Sequence, residues 1–192
     1  FSPISRLHSS TSHFIRKEPW FFPPEIADAM KQALRLRHQL FPYLYTMNHR
    51  CHTELEPMIQ PMYYSHPKCG AAYTVPQQFW FSSELIVAPI CEHTSEKDGL
   101  ARADAWLPAG DWFDFFSGLH YISSRGRKLE LYRTRAQYPV LAKAGAIVPM
   151  MCPAPKDNRL YNCPDMQVRV FPGQNGCFTL YEDSGEGNAY QS

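Results

Sequence analysis

After Pro57 the apolar residues of this chain change their period, and that change most restricts what the chain can fold into. Upstream, Ile26, Met30, Ala33, Leu34, Leu40, Phe41, Leu44 and Tyr45 recur at helical spacing. From Met58 onward, apolar residues come in short runs bounded by Pro, Gly, Asn, Asp and Ser, the pattern of strands joined by turns. The helical stretch opens on Pro23-Pro24-Glu25, a proline at the first helical position with an acid in the first turn. Pro42 has no N–H to continue the helix. Two helices are predicted, Pro24 to Gln39 and Pro42 to Glu54, and the run Arg35, Arg37, His38 reads as a solvated or salt-bridged helix face.

The short runs predict strands at Ile59 to Tyr64, Leu85 to Ala88, Ala103 to Leu107, Trp112 to Phe115, Lys128 to Tyr132, Val140 to Ala142 and Ile147 to Pro149. Gly110-Asp111 and Ser117-Gly118 read as hairpin turns. Regular short strands of this kind suggest an antiparallel β-sandwich with its boundary near Pro57. Met150 to Pro164 reads as a loop into a second β domain, with strands at Val168 to Phe171 and Cys177 to Tyr181 around the Gly173 to Gly176 turn. The acidic run Glu182 to Gly187 lacks the alternating ligand spacing of a calcium loop and reads as a solvated turn. The first residue is Phe, not Met, and the chain reads as beginning inside one folded unit and ending inside another that continues past Ser192.

The 192 residues are 44% hydrophobic, enough for a substantial core. A net charge of +1 offers no footing for nucleic acid or an acidic membrane surface, and no apolar run is long enough to span a bilayer. The cysteines 51, 69, 91, 152, 163 and 177 show no CxxC spacing, so no metal site is expected, and they read as free thiols in a reducing compartment. No glycine-rich phosphate loop is present and no cofactor is expected. The aromatic content of 14% fits a β-rich core; if the chain instead binds sugars by stacking, Trp106, Trp112 and Tyr121 are the candidates.

One stretch has the look of a site. Phe1 to Leu7 reads as a short buried strand, followed by His8 and the polar run Ser9 to His13. In parallel α/β barrels the loops after the strands carry the chemistry. Imidazole suits sugar hydroxyls because its two nitrogens can donate and accept at once. On the residues alone, a histidine capping a loop is the commoner role.

The segments FSPISRLHSS, KEPWFF, LRLRHQLFPYLYT, QPMYY, QFWFSSELIVAPI, LPAGDWFDFFSG, PVLAKAGAIVPM and LYEDSGEG come in one order along the chain. Together they resemble the C-terminal portion of a glycoside hydrolase family 31 α-glucosidase. The resemblance implies a mainly β, α+β fragment: the last strand and helices of a (β/α)8 barrel over residues 1–56, a proximal β-sandwich over 57–150, and a linker with the start of a distal β domain over 151–192. It implies that His8 hydrogen-bonds the sugar beside the cleaved bond, with Arg6 as its internal support. His8 followed by two serines resembles the α-glucosidase type, with an α-glucoside oligosaccharide as substrate. A cytoplasmic protein is expected, and a homo-oligomer is left open. Retention needs two carboxyl groups about 5 Å apart. In this family both are aspartates on earlier barrel strands, so the catalytic pair is expected upstream of Phe1 and this chain alone is expected to be inactive. Asp104, Asp111, Asp114, Asp165 and Asp183 offer no framed pair, and Glu18, though nearest His8, has no catalytic role in the family. An α-xylosidase, or a non-catalytic carbohydrate-binding or structural β module, are the other readings.

Overall fold

The computed structural model describes residues 1–8, 15–154 and 165–188. A 3₁₀ turn, Pro19–Phe21, leads into α1 (Pro24–Gln39). Glu25 lies in the first turn of α1 and Arg37 and His38 in its last, each charge at the end the helix dipole favours. Leu40 leaves helical geometry (ψ 4°), and α2 (Phe41–Glu54) starts at once with Pro42 in its first turn. α2 ends at Leu55, which takes the left-handed conformation (φ 58°).

Ten strands follow among the described residues: β1 (Ile59–Pro61), β2 (Phe79–Phe81), β3 (Leu85–Val87), β4 (Ala101–Leu107), β5 (Gly110–Asp114), β6 (His120–Ser123), β7 (Arg127–Arg133), β8 (Val140–Lys143), β9 (Ile147–Met151) and β10 (Met166–Val170). A six-stranded antiparallel sheet runs β1-β2-β3-β8-β5-β6, and β4 pairs with β7, β9 with β10. The centre of the large sheet, β3 and β8, is buried on both faces. Leu85 and Val87 of β3 and Val140 and Ala142 of β8 join Tyr43 and Met47 of α2 and Val148 and Met150 of β9 in one core. The residues between them, Ile86 and Leu141, point the other way, into a second core with Trp106, Leu107 and Leu131 of the β4–β7 ribbon. Burial on two faces is why β3 reads as an unbroken apolar run. The chain is thus mainly β, with its two long helices at one end.

Several sequence expectations change. Phe1 to Leu7 forms no strand: only Phe1 and Pro3 are even half-buried, because among the described residues no neighbouring strand pairs with them. The strand at Ile59 stops at Pro61, and a short helix, α3 (Met62–Ser65), follows, burying Met62 in the second core. Gly110-Asp111 is not a turn. Both residues lie in the β5–β6 ladder, opposite Ser123 and Ile122, while β4 pairs with β7 instead of β5. Gly110 can open β5 at φ 138° because it has no Cβ. The turn at Ser117-Gly118 does close the β5–β6 hairpin, with Gly118 N–H donating to Asp114 O (2.9 Å). The strand expected at Val168 lies at Met166–Val170 and pairs with β9. Cys177 to Tyr181 joins no ladder; it is tied to α2, where the Phe178 ring lies 5.9 Å from Tyr43 and Tyr181 N–H donates to Thr46 Oγ1 (3.0 Å).

The acidic turn after Tyr181 is also fastened. Asp183 accepts hydrogen bonds from the Tyr45 hydroxyl (2.7 Å), the Tyr181 hydroxyl (2.6 Å) and Gly185 N–H (2.7 Å). These donors, the Tyr181 hydroxyl foremost, hold its carboxyl below the usual aspartate range. A group with a depressed folded pKa adds stability above the unfolded value that is lost as pH falls through the folded one. The fastening should therefore hold at neutral pH and loosen only as pH drops below about 3.9. Asp183→Asn removes the charge, and hydrogen exchange of the Gly185 amide should then speed up at neutral pH; unchanged exchange would show that the carboxylate does not hold the turn.

Candidate functional site

The stretch that carries His8 is anchored at its start and exposed at its end. The Phe1 ring sits edge-on among Phe81, Phe115, Phe116 and Tyr138, with centroids 5.3, 5.5, 6.3 and 5.7 Å away. Such edge-to-face pairs set the angle as well as the depth of an aromatic side chain. One step on, Arg37 of α1 donates from Nε to Ser2 O (3.1 Å) and from Nη2 to Pro3 O (2.7 Å). Arg6 and His8 are exposed and, among the described residues, neither has a hydrogen-bond or ion-pair partner. Ser9 to His13, the polar run read as a substrate-side loop, lies outside the described residues. Beyond it, Arg16 stands over the Phe21 ring at 4.3 Å and Trp20 is 72% exposed. Beside Phe1, an apolar groove of ≈ 1,020 Å³ runs between Ile26, Met30 and Leu36 of α1 and Phe116 and Tyr138 of the β domain.

Sequence reasoning gave Arg37 to a solvated or salt-bridged face. It lies instead on the apolar stripe of α1, four residues after Ala33 and three before Leu40, and a lone arginine at that spacing was the available signal.

Several aspartates elsewhere have side-chain partners. Asp104 is held by Arg102 (2.8 Å), which also depresses its pKa. Asp111 accepts from His120 Nε2 (3.0 Å), and Asp114 from Arg133 Nη2 (2.5 Å). Among the described residues no group of three His, Cys, Asp or Glu could hold a metal ion, and no helix is long and apolar enough to cross a membrane. Cys51, Cys69, Cys91 and Cys177 carry free thiols, and Cys163 lies outside the described residues. Of the aromatic residues considered for sugar stacking, Trp106 and Trp112 are buried, 4% and 3% exposed, and Tyr121 is partly buried against the second core.

Residues 1–47 match the TIM-barrel domain model of glycosyl hydrolases family 31, and residues 55–148 match the family 31 C-terminal domain model. The chain belongs to glycoside hydrolase family 31. Its family 31 relatives include an alpha-xylosidase of Saccharolobus solfataricus, 26% identical over 96% of this chain, and an alpha-glucosidase of Hordeum vulgare, 31% identical over 78%. Among solved structures, a family 31 dextranase of Flavobacterium johnsoniae, complexed with glucose, superposes with a TM-score of 0.76 at 29% identity, over 91% of this chain and 21% of that one. The chain spans 24% of the length of the S. solfataricus relative and 16% of the H. vulgare one.

Proposed function

We propose that this chain is the His8-bearing end of a retaining α-glucosidase that releases terminal α-linked glucose from oligosaccharides. The observation that carries the reading is His8 itself: an exposed imidazole five residues beyond the doubly anchored Ser2–Pro3 segment, in a region matching the family's barrel. His8 binds a hydroxyl of the sugar beside the cleaved bond, and by resemblance to the family Arg6 becomes its internal support once the remaining barrel packs around it. The nucleophile and the acid/base are carboxylates of the longer protein, consistent with the structural partners that occupy Asp104, Asp111 and Asp114 here. On this reading residues 1–56 complete the barrel, 57–150 form the proximal β domain and 151–192 begin the distal one. The left-handed stop at Leu55 supports the first boundary. The apolar groove beside α1 is where the remaining barrel packs, so the isolated chain should bind an apolar dye and aggregate.

A hydrogen bond that strengthens as the oxocarbenium-like transition state forms lowers the barrier. His8→Ala in the intact enzyme should therefore cut turnover ten- to a hundredfold, about 1.4–2.8 kcal/mol. Unchanged kinetics would remove His8 from the site. The α-xylosidase relative matching 96% of this chain keeps a second reading in play. Hydrolysis of p-nitrophenyl α-glucoside and of the α-xyloside by the intact protein separates the two, and activity of this chain alone would mean the carboxylates have been misplaced.

A further inference from the structure

Arg37 spans the distance between α1 and the start of the chain, and what it holds is backbone. Its half-buried guanidinium reaches two successive carbonyls, Ser2 O and Pro3 O, from residues 35 and 34 positions away. A planar fork on two adjacent carbonyls fixes both the register and the direction of a peptide, which a single ammonium cannot do. Immediately before this clamp, the Phe1 ring is lodged among four aromatic rings, of which Phe81, Phe115, Phe116 and Tyr138 all come from the β domain. Between Pro3 and His8 the described residues add one hydrogen bond, Ser2 Oγ to Ile4 O.

We infer that Arg37 is a positioning residue for His8: with the aromatic cage around Phe1 it sets where the imidazole stands, and so makes the β domain part of the sugar site without touching sugar. The inference rests on the reading of His8 as a sugar ligand. Displacements on the order of 1 Å at a reacting centre can cost up to a hundredfold in rate.

A double-mutant cycle in the intact enzyme tests it, with kcat and KM for p-nitrophenyl α-glucoside measured for wild type, Arg37→Met, His8→Ala and the double variant, alongside Tm. Arg37→Met keeps the stem's packing and removes both donors. It should lower kcat/KM by about tenfold, and Arg37→Lys, able to hold one carbonyl, should recover part of that. In the His8→Ala background, Arg37→Met should add almost nothing, since a residue acting through His8 has no further effect once His8 is gone. Full additivity, or kinetic constants unchanged in Arg37→Met, would overturn the inference while leaving the sugar reading of His8 intact. A merely structural Arg37 would lower Tm and give that additive result. If His8→Ala alone leaves kinetics unchanged, the sugar reading itself fails and Arg37 has nothing to position.

Discussion

Asp114→Ala should destabilise the protein by about 3–5 kcal/mol, the cost of removing one partner from a buried ion pair. The Asp114 side chain is 2% exposed and that of Arg133 15%, and they meet at 2.5 Å. The other carboxylate oxygen accepts three more hydrogen bonds, from Phe116 N–H (3.0 Å), Ser117 N–H (2.8 Å) and Ser117 Oγ–H (3.0 Å). One side chain therefore closes the β5–β6 turn and neutralises a cation from β7. Truncation leaves a desolvated guanidinium and three donors without an acceptor. Asp114→Asn keeps an acceptor for the turn and should cost less. Adding Arg133→Met to Asp114→Ala should recover part of the loss, because the stranded charge goes with it. Urea unfolding at constant m-value measures all three. A loss below about 1 kcal/mol for Asp114→Ala would mean that the pair behaves as a surface salt bridge.

Gln78→Ala should cost about 2–6 kcal/mol, one to three for each of two backbone groups left buried and unpaired. Gln78 is 3% exposed, and its amide pairs with both polar groups of one peptide position. Nε2 donates to Trp106 O and Trp106 N–H donates to Oε1, each at 2.7 Å. Trp106 lies in β4, whose one ladder partner among the described residues is β7. On the other side of β4 the side-chain amide does the work of a neighbouring strand, and it links the loop before β2 to the ribbon over the second core. Gln78→Glu should be as damaging as the alanine, since a carboxylate faces the Trp106 carbonyl with no proton to give. Hydrogen exchange supplies a local readout: the Trp106 amide should lose protection selectively in Gln78→Ala. If it stays protected, another acceptor has replaced Gln78.

The local signals were legible where local forces decide. α1 starts and ends where its prolines, its acidic first turn and its basic last turn predict, and α2 follows within one residue. Strands β3, β4, β7 and β8 lie on the apolar runs that announced them, because each sends at least one face into a core. β2 escaped notice: Phe79-Trp80-Phe81 runs straight on toward Leu85 through two serines, and no alternation separates the two strands. β6 is too short, and mostly too exposed, to stand out from its turn. The strand expected at Cys177 failed for the opposite reason, since Phe178 is apolar because it packs on Tyr43, not because a ladder needs it.

The candidate site divides along the same line. His8 could be picked out from its place after an apolar stretch and by resemblance to the family, both properties of consecutive residues. Period, punctuation and helix ends depend on contacts within a few residues, and these set the helices, the change of pattern after Pro57 and most of the strands. The clamp of Arg37 on Ser2 and Pro3, the cage around Phe1, the Gln78–Trp106 pairing and the Asp114–Arg133 pair join residues 19 to more than 100 positions apart. Such groups meet only when the large sheet packs against α2 on one face and the β4–β7 ribbon on the other, which also brings the chain start and α1 into place. A polar side chain has the same composition whether it faces water or a buried carbonyl, so tertiary packing alone decided which arginine, which glutamine and which aspartate became internal supports.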